Sequence, residues 1–346
     1  MSTLKVNAIN AATSGQAVAV DISNPRSFRN LIINGAMQVA QRGTSSTDHG
    51  HHTLDRWAHY RAGVDENPTF SQADVASGTT PYELGFRKSL KTVNGNQTGG
   101  AGGSDYISLD YKWEAQDIAN SGWNYTSTSS YVTLSFWVKS SVAQNFYFHI
   151  RTIDGTSQNY PMETGTLSAN TWTKITKTIP GDSDLQFDNN NDTGLQMRFM
   201  LYRGTTNTGT ITLNQWADFV GAVRVPDNTT TWYTTNDATF ELTGAQFEVG
   251  SYATDFEHRS YGEELDRCQR YYQAQTDYHH ICINNGESDR WIRFMKPMRA
   301  APTVTTSPTN SVSFAAQNQQ KEGFAGNGSG SGSANFNLEW TASAEL

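Results

Sequence analysis

Apolar and polar residues alternate with a period of two along most of the chain between residues 30 and 250. Val132, Leu134, Phe136 and Val138 fall on one side of an extended segment, and Phe146, Phe148 and Ile150 do the same after a short turn region. The pattern returns at Ile175 and Ile179, at Leu195, Met197, Phe199 and Leu201, at Ile211 and Leu213, and at Phe240, Leu242, Phe247 and Val249. Leu31, Ile33, Met37 and Val39 begin it. Such alternation marks strands with one buried face. Many short strands between Gly-, Asn- and Thr-rich loops predict a mostly β chain whose residues 29–258 form an antiparallel β-sandwich of jelly-roll type. Leu134, Phe136, Phe148, Ile175 and Phe199 are its expected core.

The pattern changes near residue 259. Ser260-Tyr261-Gly262-Glu263 has capping-box spacing, in which the serine oxygen takes the third helical N–H and the glutamate reaches back. Glu263 with Arg267 and Asp266 with Arg270 stand four apart in the favourable orientation. Leu265, Cys268 and Tyr272 share a face. A short linking helix is therefore expected within residues 259–275, read as a hinge between two β-rich domains. Alternation resumes at Trp291, Arg293 and Met295 and again at Phe336, Leu338 and Trp340, giving a small C-terminal β domain over 276–346. Its core is small enough to gain from burial between protomers.

Composition narrows the class. Hydrophobic residues make up 36% and charged residues 17% of 346 residues, yet 12% are aromatic. A disordered chain would be poor in aromatics. The balance fits sandwiches with long polar loops, as in extracellular binding modules and viral fibres. A net charge of −8 speaks against general binding to nucleic acid, because phosphate neutralisation needs a basic surface. No run approaches 18 apolar residues, so membrane insertion is not expected, and Val6 to Val20 lacks the apolar core of a signal peptide. Cys268 and Cys282 have no metal-type spacing, and whether they pair stays open.

Some segments also carry a resemblance. "GAQFEVGSYATDFEHRSYGEELDRCQRYY" (Gly244 to Tyr272), "STLKVNAINAATSGQAV" (Ser2 to Val18), "NLIINGAMQVAQRG" (Asn30 to Gly43) with "LDRW" (Leu54 to Trp57), and "FNLEWTASAEL" (Phe336 to Leu346) resemble tail fibre and receptor-binding proteins of tailed bacteriophages, notably of marine type. "LSFWVKSS…FYFHIR…LQMRFMLYRG" (Leu134 to Gly204) resembles carbohydrate-binding-module jelly rolls. The resemblance implies a virion fibre protein located on the tail, or less readily on the capsid, that attaches to a host surface glycan or outer-membrane component. It implies that residues 1–28 anchor it to a neighbouring virion tail or capsid protein, a disordered tail being the plainer reading. It also implies a homotrimer. A capsid-decoration or tail-assembly protein without a receptor, and a polysaccharide depolymerase, are the alternatives.

Candidate chemistry is sparse. Trp113, Trp123, Tyr125, Trp216, Trp232 and Tyr233 stand near Gly-, Asn- and Thr-rich segments and are the candidates for ligand contact, packing being the other reading. His49, His51 and His52 are weak metal candidates, with His279 and His280 weaker. The run Asp182, Asp184, Asp188 and Asp192 offers oxygens for calcium but lacks an ordered loop pattern, and a solvated loop is the plainer reading. No cofactor is implied. GxSxG, HExxH and phosphate-binding glycine motifs are absent, and no catalytic residue is assigned. Two carboxylates suffice for a glycosidase, so sequence spacing alone leaves that chemistry open.

Overall fold

The structure is a computed structural model that describes the backbone of residues 29–283, 287–308, 313–329 and 334–346, and their side chains apart from 276–290 and 327–336. The anchor expected at 1–28 lies outside the described residues, as do the side chains of His279, His280 and Cys282.

The alternating segments form strands, and their order defines a two-layer sandwich. The strands are β1 (Ser45–Ser46), β2 (Ala58–Ala62), β3 (Thr69–Asp74), β4 (Lys88–Val93), β5 (Tyr106–Glu114) and β6 (Tyr131–Ser140). They continue as β7 (Asn145–Thr152), β8 (Gln158–Thr166), β9 (Thr173–Pro180), β10 (Thr193–Arg203), β11 (Ala217–Asp218) and β12 (Thr239–Val249). One six-stranded sheet runs β1-β3-β4-β12-β6-β9 and the other β11-β8-β7-β10-β5-β2. Every pairing is antiparallel. The protein is a mostly β jelly-roll sandwich, followed by a short helix and small C-terminal sheets.

The core lies where the alternation puts it. Leu134, Phe136, Phe148, Ile175 and Phe199 are all buried between the sheets. The Phe136 ring meets Phe148 at 5.4 Å and Phe199 at 5.1 Å, both edge-on, so the two layers interlock through an aromatic cluster.

Two expected strands are not strands. Leu31 to Val39 forms turns, with Asn34 and Met37 at φ of 60° and 58°. Ile32, Met37 and Val39 are buried while Leu31 and Ile33 are half-buried, and the backbone is satisfied by isolated bonds and side chains rather than by a ladder. Ile211 and Leu213 lie in an irregular segment before the two-residue β11.

The linking helix, Tyr261–Cys268, forms as the capping signature requires. Beyond it, β13 (Tyr272–Ile283), β14 (Glu287–Arg293), β15 (Thr303–Pro308), β16 (Ser313–Gln320), β17 (Gly323–Ser329) and β18 (Ala334–Ser343) make two three-stranded sheets, ordered β13-β18-β15 and β14-β17-β16. Between them sits a separate small core that includes Ile292, Phe294, Met298, Phe324, Leu338 and Trp340.

Candidate functional site

Among the described residues, three of the segments that carry the fibre resemblance, 30–57, 244–272 and 337–346, meet at the junction of sandwich and C-terminal sheets. Ser260 Oγ accepts from Glu263 N at 3.3 Å and Glu263 Oε2 accepts from Ser260 N at 3.0 Å. The helix buries Glu264 and Cys268. Glu264 Oε1 accepts the Asn34 N–H, Glu257 Oε2 accepts the Asn30 N–H at 2.7 Å, and Arg259 donates to Ile32 O at 3.1 Å. Tyr111 Oη takes the Ile33 N–H at 2.8 Å. The backbone donors of Asn30 and Asn34 are therefore filled from the helix side and that of Ile33 from β5, while Leu31 N–H reaches Phe247 O at 2.8 Å and Ile32 N–H the Asn30 side chain at 2.9 Å. Gly35 permits the crossing of β12, since a Cβ there would stand 2.1 Å from Ala245 O.

The segment read as a hinge is thus a clamp. Asp266 and Arg270 do not pair with each other: Asp266 binds Lys296 at 2.8 Å, and Arg270 binds Glu114 at 2.7 Å. Tyr271 Oη donates to Glu114 at 2.6 Å. The chain end returns here. Glu345 pairs with Arg56 and, at 3.2 Å, with Arg42, while His51 Nε2 stands 3.8 Å away. The Arg56 guanidinium lies 3.5 Å over the Tyr271 ring, and that of Arg42 lies 3.7 Å over Tyr272. Burial opposes the Glu345 charge, but His51, Arg56 and Arg42 hold its carboxyl down at about 2. Burial lowers His51 to about 4, against the pull of Glu345. Burial raises Asp55 to about 6, against hydrogen bonds from Gln41. These groups tie the chain end and the linking helix to the sandwich.

The predicted ligand aromatics are mostly core. Trp113, Trp123, Trp216, Trp232 and Tyr233 are buried, and Tyr125 is half-buried with its ring edge-on to Phe187 at 4.9 Å. Each indole N–H has an internal acceptor. Trp113 donates to Leu31 O, Trp123 to Ser130 O, Trp216 to Pro180 O and Trp232 to Thr239 O. Their placement in polar stretches reflects these bonds, because a buried indole needs an acceptor that loops supply. The five buried side chains serve the core, and Tyr125 keeps part of its ring at the surface.

His49, His51 and His52 do not converge. His49 packs edge-on against Tyr60, His52 Nε2 reaches His49 O, and His51 faces Glu345. Among the described residues no three His, Cys, Asp or Glu side chains form a metal-sized group. In the Asp182–Asp192 loop, Asp182 accepts from Asp184 N at 3.0 Å, and Asp188 N is taken by Asp154 at 2.9 Å.

The feature that sequence reading missed is the outward face of the β11-β8-β7-β10-β5-β2 sheet. Register sets three rows across it. The first joins Asn159, Arg151, Gln196 and Lys112, and the second joins Pro161, His149, Arg198 and Asp110. The third joins Glu163, Tyr147, Met200, Ser108 and Tyr60. Arg198 makes a two-pronged bond to Asp110, with Nε at 2.7 Å from Oδ1, and Gln196 Nε2 donates to the same carboxylate at 2.7 Å. The segment after β10 folds back over this face. Phe219 lies beneath the Arg151 guanidinium at 3.6 Å, with Arg224 at 5.6 Å and the His149 ring at 6.4 Å. Tyr60, Tyr147, Phe219, Arg151, Arg198 and Arg224 are all half-buried, so each offers part of its surface to solvent. A signal existed in "FHIR" and "LQMRFMLYR", where outward positions of the strongest strands are His149, Arg151, Gln196 and Arg198.

Solved structures similar to this chain include the enzymatically active domain of bacteriophage CBA120 tailspike protein 4, at 11% identity and a TM-score of 0.33 over 64% of this chain and 22% of that one. The N-terminal cellulose-binding domain of Cellulomonas fimi β-1,4-glucanase C matches at 11% identity and a TM-score of 0.29, over 62% of this chain and 99% of that one. A xylan-binding domain of carbohydrate-binding-module family 22 matches at 9% identity and a TM-score of 0.31, over 63% and 99%. No family model matches the chain. No curated protein matches it either. The fold assignment rests on the strand order and register given above.

Proposed function

We propose that this chain is a glycan-binding attachment protein of a phage virion, taking saccharide on the outward face of the β11-β8-β7-β10-β5-β2 sheet. One observation carries the reading. Half-buried aromatic rings (Tyr60, Tyr147, Phe219) and half-buried guanidinium groups (Arg151, Arg198, Arg224) lie together on the outward side of one sheet. Rings stack on the apolar faces of sugars, and planar polar groups orient their hydroxyls. The virion setting is supported by the sequence resemblance alone. In this reading residues 1–28 anchor the chain to a tail or capsid partner, and three copies associate, with shallow sites gaining avidity together. Trp291 and Met295, both exposed on the C-terminal sheets, suit burial between copies.

A glycan array with the purified protein tests the binding role. Binding that falls at least tenfold in Tyr60→Ala/Tyr147→Ala, with the melting temperature unchanged, supports it. An array without any signal favours a decoration role instead. Incubation with host polysaccharide is expected to release no reducing ends, and release would favour a depolymerase.

A further inference from the structure

We propose that the same face reads a negatively charged substituent on the glycan, a carboxylate or a sulfate ester, through Arg151, Arg203 and Arg224. The inference rests on the glycan reading and deepens it. The chain carries a net charge of −8, yet this face gathers Arg151, Arg198, Arg203, Arg224 and Lys112. Its central carboxylate, Asp110, is engaged by Arg198 and Gln196. Arg151, Arg203 and Arg224 have no ion-pair partner among the described residues. Arg151 Nε donates to Ser157 Oγ at 2.8 Å, Arg224 Nε to Gly221 O at 3.1 Å, and Arg203 Nη2 to Asn207 Oδ1. The remaining guanidinium donors are not matched by protein acidity.

Burial sharpens the case. Arg203 is about nine-tenths buried, and its Nε has no hydrogen-bond partner, although its guanidinium lies 4.5 Å over the Tyr106 ring. Unpaired buried donors are costly and are retained where something else fills them. Burial and mutual repulsion with Arg224 and Arg198 lower Arg203 to about 10, so it stays a cation at neutral pH. A planar guanidinium matches a carboxylate or sulfate with two parallel bonds. Phe219 lies 3.6 Å from the Arg151 guanidinium and Gly221 O holds Arg224, so both heads are oriented before an anion arrives and less entropy is lost.

The test is calorimetric titration of the full chain with alginate, with a sulfated galactan and with a neutral β-glucan, at low and at moderate salt. The expected result is binding of at least one anionic polymer, weakened roughly tenfold or more in Arg151→Met/Arg224→Met. The control Lys174→Met/Lys177→Met changes charge equally on the opposite sheet and should bind as the parent does. Preference between alginate and galactan names the carboxylate or the sulfate. Equal anionic binding in the arginine variant and the parent overturns the inference, as does loss in the lysine control alone. Binding of the neutral glucan alone overturns it too, but leaves glycan binding intact. Silence with all three polymers sinks both readings, provided the variants melt with the parent.

Discussion

At the scale of single residues, the junction is an argument about buried charge. Glu345 sits between Arg56 and Arg42, and Arg56 is almost fully buried in left-handed backbone at φ 72°. Removing the acid leaves Arg56 buried without its counter-ion. Glu345→Gln is expected to destabilise the protein by about 3–5 kcal/mol, measured as the urea midpoint. Buried histidines set the pH response. Burial lowers His51 to about 4 and both His59 and His149 to about 3. Each binds a proton more readily unfolded than folded, so the stability these three give is present above pH 6.5 and is lost as pH falls toward 4. Asp55, raised by burial to about 6, acts oppositely, because the folded state holds its proton between about pH 4 and 6. Asp117 is raised by burial to about 6 as well, so three protons stand against two and the net effect in that window is a loss of stability as pH falls. Denaturation at pH 7.5 and at pH 5 checks the sign. A higher midpoint at pH 5 would contradict it.

At the scale of elements, the linking helix shows local and tertiary signals working together. Its start is local: the Ser260–Glu263 box is readable in four residues, and Ser260→Ala is expected to cost about 1 kcal/mol by thermal melting. Its charged partners are tertiary, since Lys296 and Glu114 take the residues that helical spacing would pair with each other. The turn segment beneath it obeys neither strand nor helix rules. Asn34 Oδ1 accepts from Val39 N at 3.0 Å, and its amide donates to Val39 O at 2.8 Å, so one side chain replaces a stretch of ladder. Gly35→Ala would drive a Cβ into Ala245 O, and a loss of several kcal/mol is expected, because that contact is backbone and cannot swing aside. In the sandwich, Phe136→Ala should cost about 3–5 kcal/mol by the same measurement, as its ring bridges both sheets.

At the scale of the whole molecule, the two cores are separate but the ion pairs between them are not. Arg299 donates to Asn191 O and to Ala344 O, and Lys112 Nζ donates to Leu346 O at 2.8 Å, so the last residues are pinned to the sandwich. Deleting residues 1–28 is expected to leave both cores folded and to abolish incorporation into virions, while the truncated protein still competes with whole phage for host cells. Mass measurement in solution is expected to give a trimer. A folded monomer at micromolar concentration would count against the fibre assignment.

The sequence by itself determined many of the strands, the core named from them and the helix start. Each depends on neighbours within a few positions, through the two-residue period of a strand or the three-residue reach of a cap. It did not determine which aromatics were free. Trp113 and Trp232 read as loop-adjacent binders until the structure supplied Leu31 O and Thr239 O as their acceptors. Nor did it reveal the arginine face. Arg151, Arg198 and Arg224 lie far apart along the chain, and only the pairing of β7 with β10, and the fold-back that lays Phe219 on Arg151, brings them together. Register and fold-back depend on distant segments, and charge acquires meaning only once burial has removed the water around it.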